Sequence, residues 1–150
     1  MTFSRRSFLI TGSAGFILTA CMGGGAATLT VAAQAQAGMN PGPDGSDRPV
    51  TISILQMSSS GNFDSADAFA LQNPSAALGS ELLRTDQITL APGGSGEKVI
   101  AIQPGTAVIG VTGGFRDPTG KTVRTKINAP SGNQGVLINV GPGGISLTSV

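Results

Sequence analysis

From residue 27 onward, apolar residues fall at every second position in one short stretch after another, the spacing of strands with one buried face. Ala27–Gln34 places Leu29, Val31 and Ala33 on one side. Val50–Met57 sets Val50, Ile52 and Ile54 against Thr51 and Ser53. Its apolar set then passes to Leu55 and Met57, a change of side that predicts a bulge. Further strands are predicted at Thr85–Ala91, Glu97–Gln103, Thr106–Phe115, Thr122–Asn128, Gly135–Val140 and Ile145–Ser149. Glycine and proline supply the turns between them, as in Pro92-Gly93-Gly94, Pro104-Gly105 and Gly141-Pro142-Gly143-Gly144. One region departs from the two-residue period. Asp64–Leu71, with Ala66, Phe69 and Ala70 at helical spacing and Asp64 as N-cap, predicts a short helix. A second helical turn follows, with Asn73 as cap, Pro74 at the first position and Gly79 as stop. Eight short strands with Gly/Pro turns predict an all-β antiparallel sandwich, with the helical insertion after the second strand.

Ala35–Pro49 fits neither period. Gly38, Asn40, Pro41, Gly42, Pro43, Asp44 and Gly45 make it the longest predicted loop. Long loops in compact domains are often functional.

The first residues carry a third pattern. Arg5 and Arg6 precede an apolar run from Phe8 to Leu18, and small residues lead to Cys21, the sole cysteine. A membrane span needs about 20 apolar residues, and Gly12, Ser13 and Gly15 interrupt this run. The arrangement is that of an export signal. Leu18-Thr19-Ala20-Cys21 resembles a bacterial lipobox, whose cysteine is acylated and starts the mature chain. Ser4-Arg5-Arg6-Ser7-Phe8-Leu9 resembles a twin-arginine signal but has Ile10 where lysine is common, so both export routes stay open. The expected organisation is a signal peptide over 1–20, a lipidated tether over 21–26 and a sandwich domain over 27–150. Stable attachment needs two or more acyl chains. Met22, rather than an aspartate, follows the cysteine, which favours the outer membrane by resemblance to other bacterial lipoproteins. The Met22-Gly23-Gly24-Gly25 tether reaches only about 10–12 Å, which holds the domain close to the bilayer. Eight residues of strand then travel roughly 26 Å, so the 35–49 loop is expected at the end facing away from the membrane.

Composition narrows the functions. Without Arg5 and Arg6, seven basic residues face eight acidic ones, a balance that gives no field for nucleic acid. Histidine, tryptophan and tyrosine are absent. The commonest general base and metal ligand is therefore missing, and so are the best platforms for sugars or bases. With Cys21 acylated there is no thiolate, and no enzyme activity or cofactor beyond the covalent lipid is expected. Ser95-Gly96-Glu97-Lys98 matches a serine–lysine motif, but on a hairpin instead of the helix that such chemistry needs. Gly120-Lys121-Thr122 ends like a phosphate loop but has Phe115 where the first glycine belongs. Asp44 and Asp47 are far from a calcium-loop pattern and read as turn residues, so no metal is expected. Arg124 and Lys126 read as a solvated strand face.

From Val50 to about Pro130 the chain resembles the TssJ lipoprotein family of the type VI secretion system. The resemblance runs through Ile54-Leu55-Gln56-Met57, Phe63-Asp64-Ser65-Ala66-Asp67-Ala68-Phe69, Leu78-Gly79-Ser80-Glu81-Leu82-Leu83, Leu90-Ala91-Pro92-Gly93 and Val108-Ile109-Gly110-Val111-Thr112-Gly113-Gly114-Phe115-Arg116-Asp117. Leu55 replaces a frequent tyrosine, and Val123 stands near a frequent tryptophan. The resemblance implies a transthyretin-like sandwich without catalytic activity. It implies an outer-membrane lipoprotein that binds the periplasmic domain of the inner-membrane protein TssM, in a complex that includes TssL. It also implies that the first interstrand loop touches TssM, through Gly38, Met39, Asn40, Pro41, Pro43, Asp44, Asp47 and Arg48. The competing reading is a periplasm-facing lipoprotein that binds a small ligand in a concave pocket.

Overall fold

The computed structural model describes residues 26–150. The export signal, Cys21 and nearly all of the tether lie outside these residues. Eight strands form two four-stranded sheets: β1 Thr28–Ala35, β2 Val50–Met57, β3 Leu82–Leu90, β4 Ser95–Ala101, β5 Val108–Gly113, β6 Arg124–Asn128, β7 Gln134–Gly141 and β8 Gly144–Ser149. One sheet runs β4-β1-β7-β8 and the other β3-β2-β5-β6. All pairs are antiparallel except β1 with β7, which run parallel from Leu29↔Gln134 to Ala35↔Val140. That pair corrects a purely antiparallel expectation. Hairpin turns force antiparallel neighbours, but β1 and β7 are joined by most of the chain and are free of that constraint.

The main core lies between the sheets. Leu29, Val31 and Ala33 of β1 meet Ile52 and Ile54 of β2, Ile109 and Val111 of β5, and Val136, Ile138 and Val140 of β7. Phe115 closes it at one end.

The second strand corrects the predicted bulge. Alternation along β2 is unbroken, and both its faces are covered. Val50, Ile52 and Ile54 enter the main core, while Leu55 and Met57 join Phe63, Leu71 and Leu78 in a second core under the insertion. The apolar set does not change sides at Leu55; a second apolar set begins there. The one irregularity falls between Gln56 and Met57, and its extra residue is Leu83 of β3, since Gln56 faces Arg84 and Met57 faces Leu82.

The insertion is more broken than the predicted helix. It contains α1 Gly61–Ser65, a 3-10 turn Ala70–Gln72, α2 Pro74–Leu78 and a 3-10 turn Gly79–Glu81. Helix α1 starts before Asp64 and stops at Ala66, whose ψ of 144 is extended. The Asp67 carboxylate accepts from the Ala70 N–H at 2.7 Å and starts the next turn. Phe69, predicted on the apolar face, is 78% exposed, and Phe63, Leu71 and Leu78 fill the second core instead. Helix α2 follows the expected bounds, with Pro74 at its start and Gly79 at φ 56 after its end, but Asn73 holds the N-cap position without a side-chain capping hydrogen bond.

Strand directions sort the connections to two ends. Ala27, the insertion and the segments 102–107 and 129–133 share one end; the loops 36–49, 91–94, 114–123 and 142–143 share the other.

Candidate functional site

The loop 36–49 leaves β1 at the end opposite Ala27 and crosses to the other sheet. It is built as a fixed structure. Its root is held where the Gln36 N–H donates to the Val140 carbonyl at 2.8 Å and the Ala35 N–H to Gly94 at 2.8 Å. Met39 turns inward and is fully buried in the main core. Asn40, 4% exposed, is the junction between two loops. Its Nδ2 donates to the Pro49 carbonyl at 3.0 Å, and its Oδ1 accepts from the Arg116 N–H at 2.9 Å. Both residues serve the loop from within, which removes them from the outward surface expected of contact residues.

Asp47 closes the loop on itself. Its two carboxylate oxygens accept from the Asn40 N–H at 2.8 Å and the Gly38 N–H at 2.7 Å. The Asn40 bond and then the Gly38 bond favour the ionised form and hold the Asp47 pKa below its ordinary 3.8. A bridge joins Pro41 to Asp47. The Gly42 N–H donates to Ser46 at 2.7 Å and the Arg48 N–H to Asn40 at 2.8 Å. At the tip, Asp44 accepts from the Ser46 N–H at 3.1 Å and pairs with Arg48 at 3.3 Å. The Ser46 backbone bond is the main cause of its lowered pKa. Gly45, at φ 80, makes the turn that a side chain would strain.

Pro41, Pro43, Asp44 and Arg48 are therefore presented outward, Gly38 is exposed near the root, and Gly42 lies half-buried under the Arg48 side chain. Beside them, Lys121 places its ammonium 5.5 Å from the Phe115 ring centroid and donates to the Pro142 carbonyl at 2.7 Å. Loop 36–49, loop 114–123 and the turn after β7 thus form one braced end. A preordered surface loses little entropy on docking. Asp44 and Asp47 spend their oxygens on backbone N–H groups and Arg48, as turn residues do.

The motif residues are equally occupied. Ser95 and Lys98 stand three apart on β4 and so face opposite sides. Lys98 reaches Asp86 at 3.5 Å. Arg124 and Lys126 do more than solvate a strand face. Arg124 donates to the carbonyls of Phe63 and Ala66, and Lys126 pairs with Asp64 at 2.7 Å. Together they clamp the insertion onto β6. The alternation of Val123, Thr125 and Ile127 against these two cations was legible; what lay over the cations was not. A concavity of about 150 Å³ lies beside the insertion, lined by hydroxyls and amides of Thr51, Ser53, Gln72, Gln87 and Thr112.

Comparison with known proteins completes the picture. No curated protein matches the sequence. Among solved structures, the type VI lipoprotein TssJ1 of Pseudomonas aeruginosa is similar in fold, with a TM-score of 0.75 at 23% identity, covering 83% of this chain and 97% of that one. Lip of Serratia marcescens, described as a membrane-bound component of the type VI secretion system, gives a TM-score of 0.73 at 25% identity, covering 81% and 96%. A chain in a structure described as the TssM C-terminal domain from EAEC gives 0.67 at 26% identity, covering 82% and 98%. The family of type VI secretion lipoproteins named VasD, EvfM and TssJ matches residues 27–143. The chain therefore belongs to the TssJ family of type VI secretion lipoproteins, structural components of the secretion machine and not enzymes.

Proposed function

We propose that this chain is held in the inner leaflet of the outer membrane by acyl chains on Cys21 and docks its far end onto the periplasmic domain of TssM, within a complex that includes TssL. The observation that carries the reading is the placement of the two ends. The described chain begins at one end of the sandwich, and the preordered loop 36–49 stands at the other. A membrane anchor at Cys21 then leaves that loop facing the periplasm. Family membership and the likeness to chains from structures described as a TssM domain and a type VI membrane complex support the choice of partner. The small-ligand reading has less support, because ligand pockets usually enclose most of their ligand in about 300–1,000 Å³; the concavity beside the insertion holds about 150 Å³, and the larger hollow of about 360 Å³ at β6 is a shallow one walled only by Ser60, Val108, Lys126, Ile127 and Asn128.

The test exchanges the charges at the loop tip. Asp44→Arg with Arg48→Asp keeps an ion pair and leaves Met39, Asn40 and Asp47 in place. The variant is expected to stay folded and membrane-bound while losing co-purification with the TssM periplasmic domain. Undiminished co-purification moves the docking site off the loop. Cys21→Ser is expected to release the protein into the soluble periplasmic fraction.

A further inference from the structure

The outer face of β2 reads Met57, Leu55, Ser53 and Thr51 in order toward loop 36–49. The insertion seals Met57 and Leu55 in the second core. Ser53 and Thr51 continue that face past the core and line the concavity of about 150 Å³ beside the insertion. Ser53 lies opposite Thr112 of β5 on one side and Gln87 of β3 on the other, so three polar residues cross the sheet in one row. Ala68 and Leu71 of the insertion and Gly114 complete the wall.

Two groups in that row have hydrogen bonds to give. Ser53 and Thr112 are only 8% and 6% exposed, and neither hydroxyl bonds another of the described residues. Every side-chain nitrogen or oxygen among the described residues that is sealed from solvent has a partner. The two hydroxyls therefore open into the concavity. Polar side chains buried this deeply are ordinarily hydrogen-bonded.

The concavity begins where the braced end begins. Thr51 stands two residues past Pro49, the last residue of loop 36–49, and its carbonyl accepts from the Gly114 N–H at 2.9 Å. Two residues past Gly114, the Arg116 N–H reaches Asn40 of that same loop at 2.9 Å. One wall of the concavity is thus the root of the two loops that brace each other. A stable protein interface engages roughly 20–30 residues a side. Loop 36–49 presents far fewer, so a protein seated on it spreads onto the surface alongside. There it meets Phe69, which stands between Ala68 and Leu71 and is 78% exposed. Aromatic rings are enriched at interfaces.

We propose that the protein docked on loop 36–49 seats one uncharged polar side chain, an asparagine or glutamine carboxamide, in this concavity. The proposal rests on the docking reading and names a second contact within it. The lining selects the class. Its hydroxyls and amides both donate and accept, as a carboxamide does. A carboxylate or ammonium would lose its water with no opposite charge among the lining residues. Arg124, in register beside Thr112, already donates to the Phe63 and Ala66 carbonyls. An apolar side chain would leave Ser53 and Thr112 without partners. The size fits as well, since a cavity of about 150 Å³ takes a group about as large as benzene.

The test measures affinity of the lipidated protein for the TssM periplasmic domain after Ser53→Ala with Thr112→Val. Both changes keep the shape of the strand and remove hydroxyls that bond nothing in the fold. The melting temperature is expected to hold while affinity falls by about tenfold. Phe69→Ala alters only an exposed ring and is expected to weaken binding by a similar factor. Replacing the partner's asparagines and glutamines by alanine, one at a time, is expected to find one that matters. Its loss should weaken binding about tenfold against the unaltered chain and not at all against the double variant. Undiminished affinity of the double variant, while Asp44→Arg with Arg48→Asp loses binding, overturns the proposal and leaves docking standing. Undiminished affinity of both overturns both. A lowered melting temperature of the double variant assigns the hydroxyls to the fold and overturns the proposal, as does the lack of any coupled asparagine or glutamine.

Discussion

The outer faces of the two sheets are opposites. On the β3-β2-β5-β6 sheet the insertion covers the far side of β2, so Leu55 and Met57 are as buried as Ile52 and Ile54. On the β4-β1-β7-β8 sheet nothing among the described residues covers β1, whose outward Thr30 and Ala32 are half-buried and whose Gln34 is exposed. Both strands have eight residues, yet β1 alternates cleanly and β2 is buried at every position but Thr51. The lesson is that alternation reports the number of covered faces. A strand that loses it has gained a second neighbour, and the sandwich has become three layers on one side.

The largest effect expected from this difference is at Phe63. Its ring is 1% exposed, and a Cβ added at Gly110 would come within 2.8 Å of it, so the second core is closely filled. Phe63→Ala is expected to cost about 3–5 kcal/mol in urea unfolding, the range for deleting a buried aromatic. Leu137→Ala, at a half-buried position on the bare sheet, is expected to cost about 1 kcal/mol. Equal costs would show that the insertion rests on the sheet without building a core there.

The same contrast marks what the sequence could tell. Strands with one covered face were legible to within a few residues: β1 and β7 follow their two-residue period, and β8 was found within a residue of its predicted bounds. Helix α2 was legible too, because proline and glycine punctuate it chemically. The first part of the insertion was not. Its folded form depends on Asp67 bonding the Ala70 N–H and on Arg124, some 60 residues away, holding the Phe63 and Ala66 carbonyls. Local period cannot report a clamp from another strand. At the end that carries loop 36–49, the loop's extent and its placement opposite Ala27 were legible, since strand length and turn residues set them. The inward turn of Met39 and Asn40 was not, because the neighbour that Asn40 bonds, Arg116, comes from a loop far along the chain.

A middle-sized effect is expected at Gln56, which shares the main-core face of β2 and is fully buried. Its Nε2 donates to the Ala101 carbonyl at 3.0 Å, and its Oε1 accepts from the Gln103 N–H at 2.7 Å and the Thr106 hydroxyl at 3.1 Å. One side chain thus ties β2 to the connection that runs from the bare sheet to the covered one. Gln56→Leu keeps the volume and strands those partners, so a loss of about 1–3 kcal/mol is expected in the same unfolding measurement. The loss should appear with faster amide exchange at Gln103. A neutral result would mean that the connection is held by its turns alone and that the two sheets are coupled only through apolar packing.

The smallest effect concerns the rim of the cover. Asp64 on α1 accepts two hydrogen bonds from the Lys126 ammonium, at 2.7 and 2.8 Å, and one from Ser60. The bond with Lys126 is the leading cause of its lowered pKa; desolvation opposes it, and the Ser60 bond adds to it. A carboxylate whose pKa is depressed by folding stabilises the fold in full above its ordinary value of 3.8, and that contribution disappears as pH falls through the lower folded value. Acid should therefore loosen the edge of the insertion first, through faster exchange at the Asp64 and Ala66 amides that close α1. The bare sheet, whose outward positions on β1, β7 and β8 carry no charge, should not respond in that window. Raising the salt from 0.15 to about 1 M should reproduce part of the effect at neutral pH by shortening the Debye length from about 8 to 3 Å. Lys126→Met should return the Asp64 carboxyl titration, followed by carbon NMR, toward 3.8. An Asp64 titration unmoved by Lys126→Met would assign the depressed value to Ser60, and would leave Arg124 as the cation that fastens the cover.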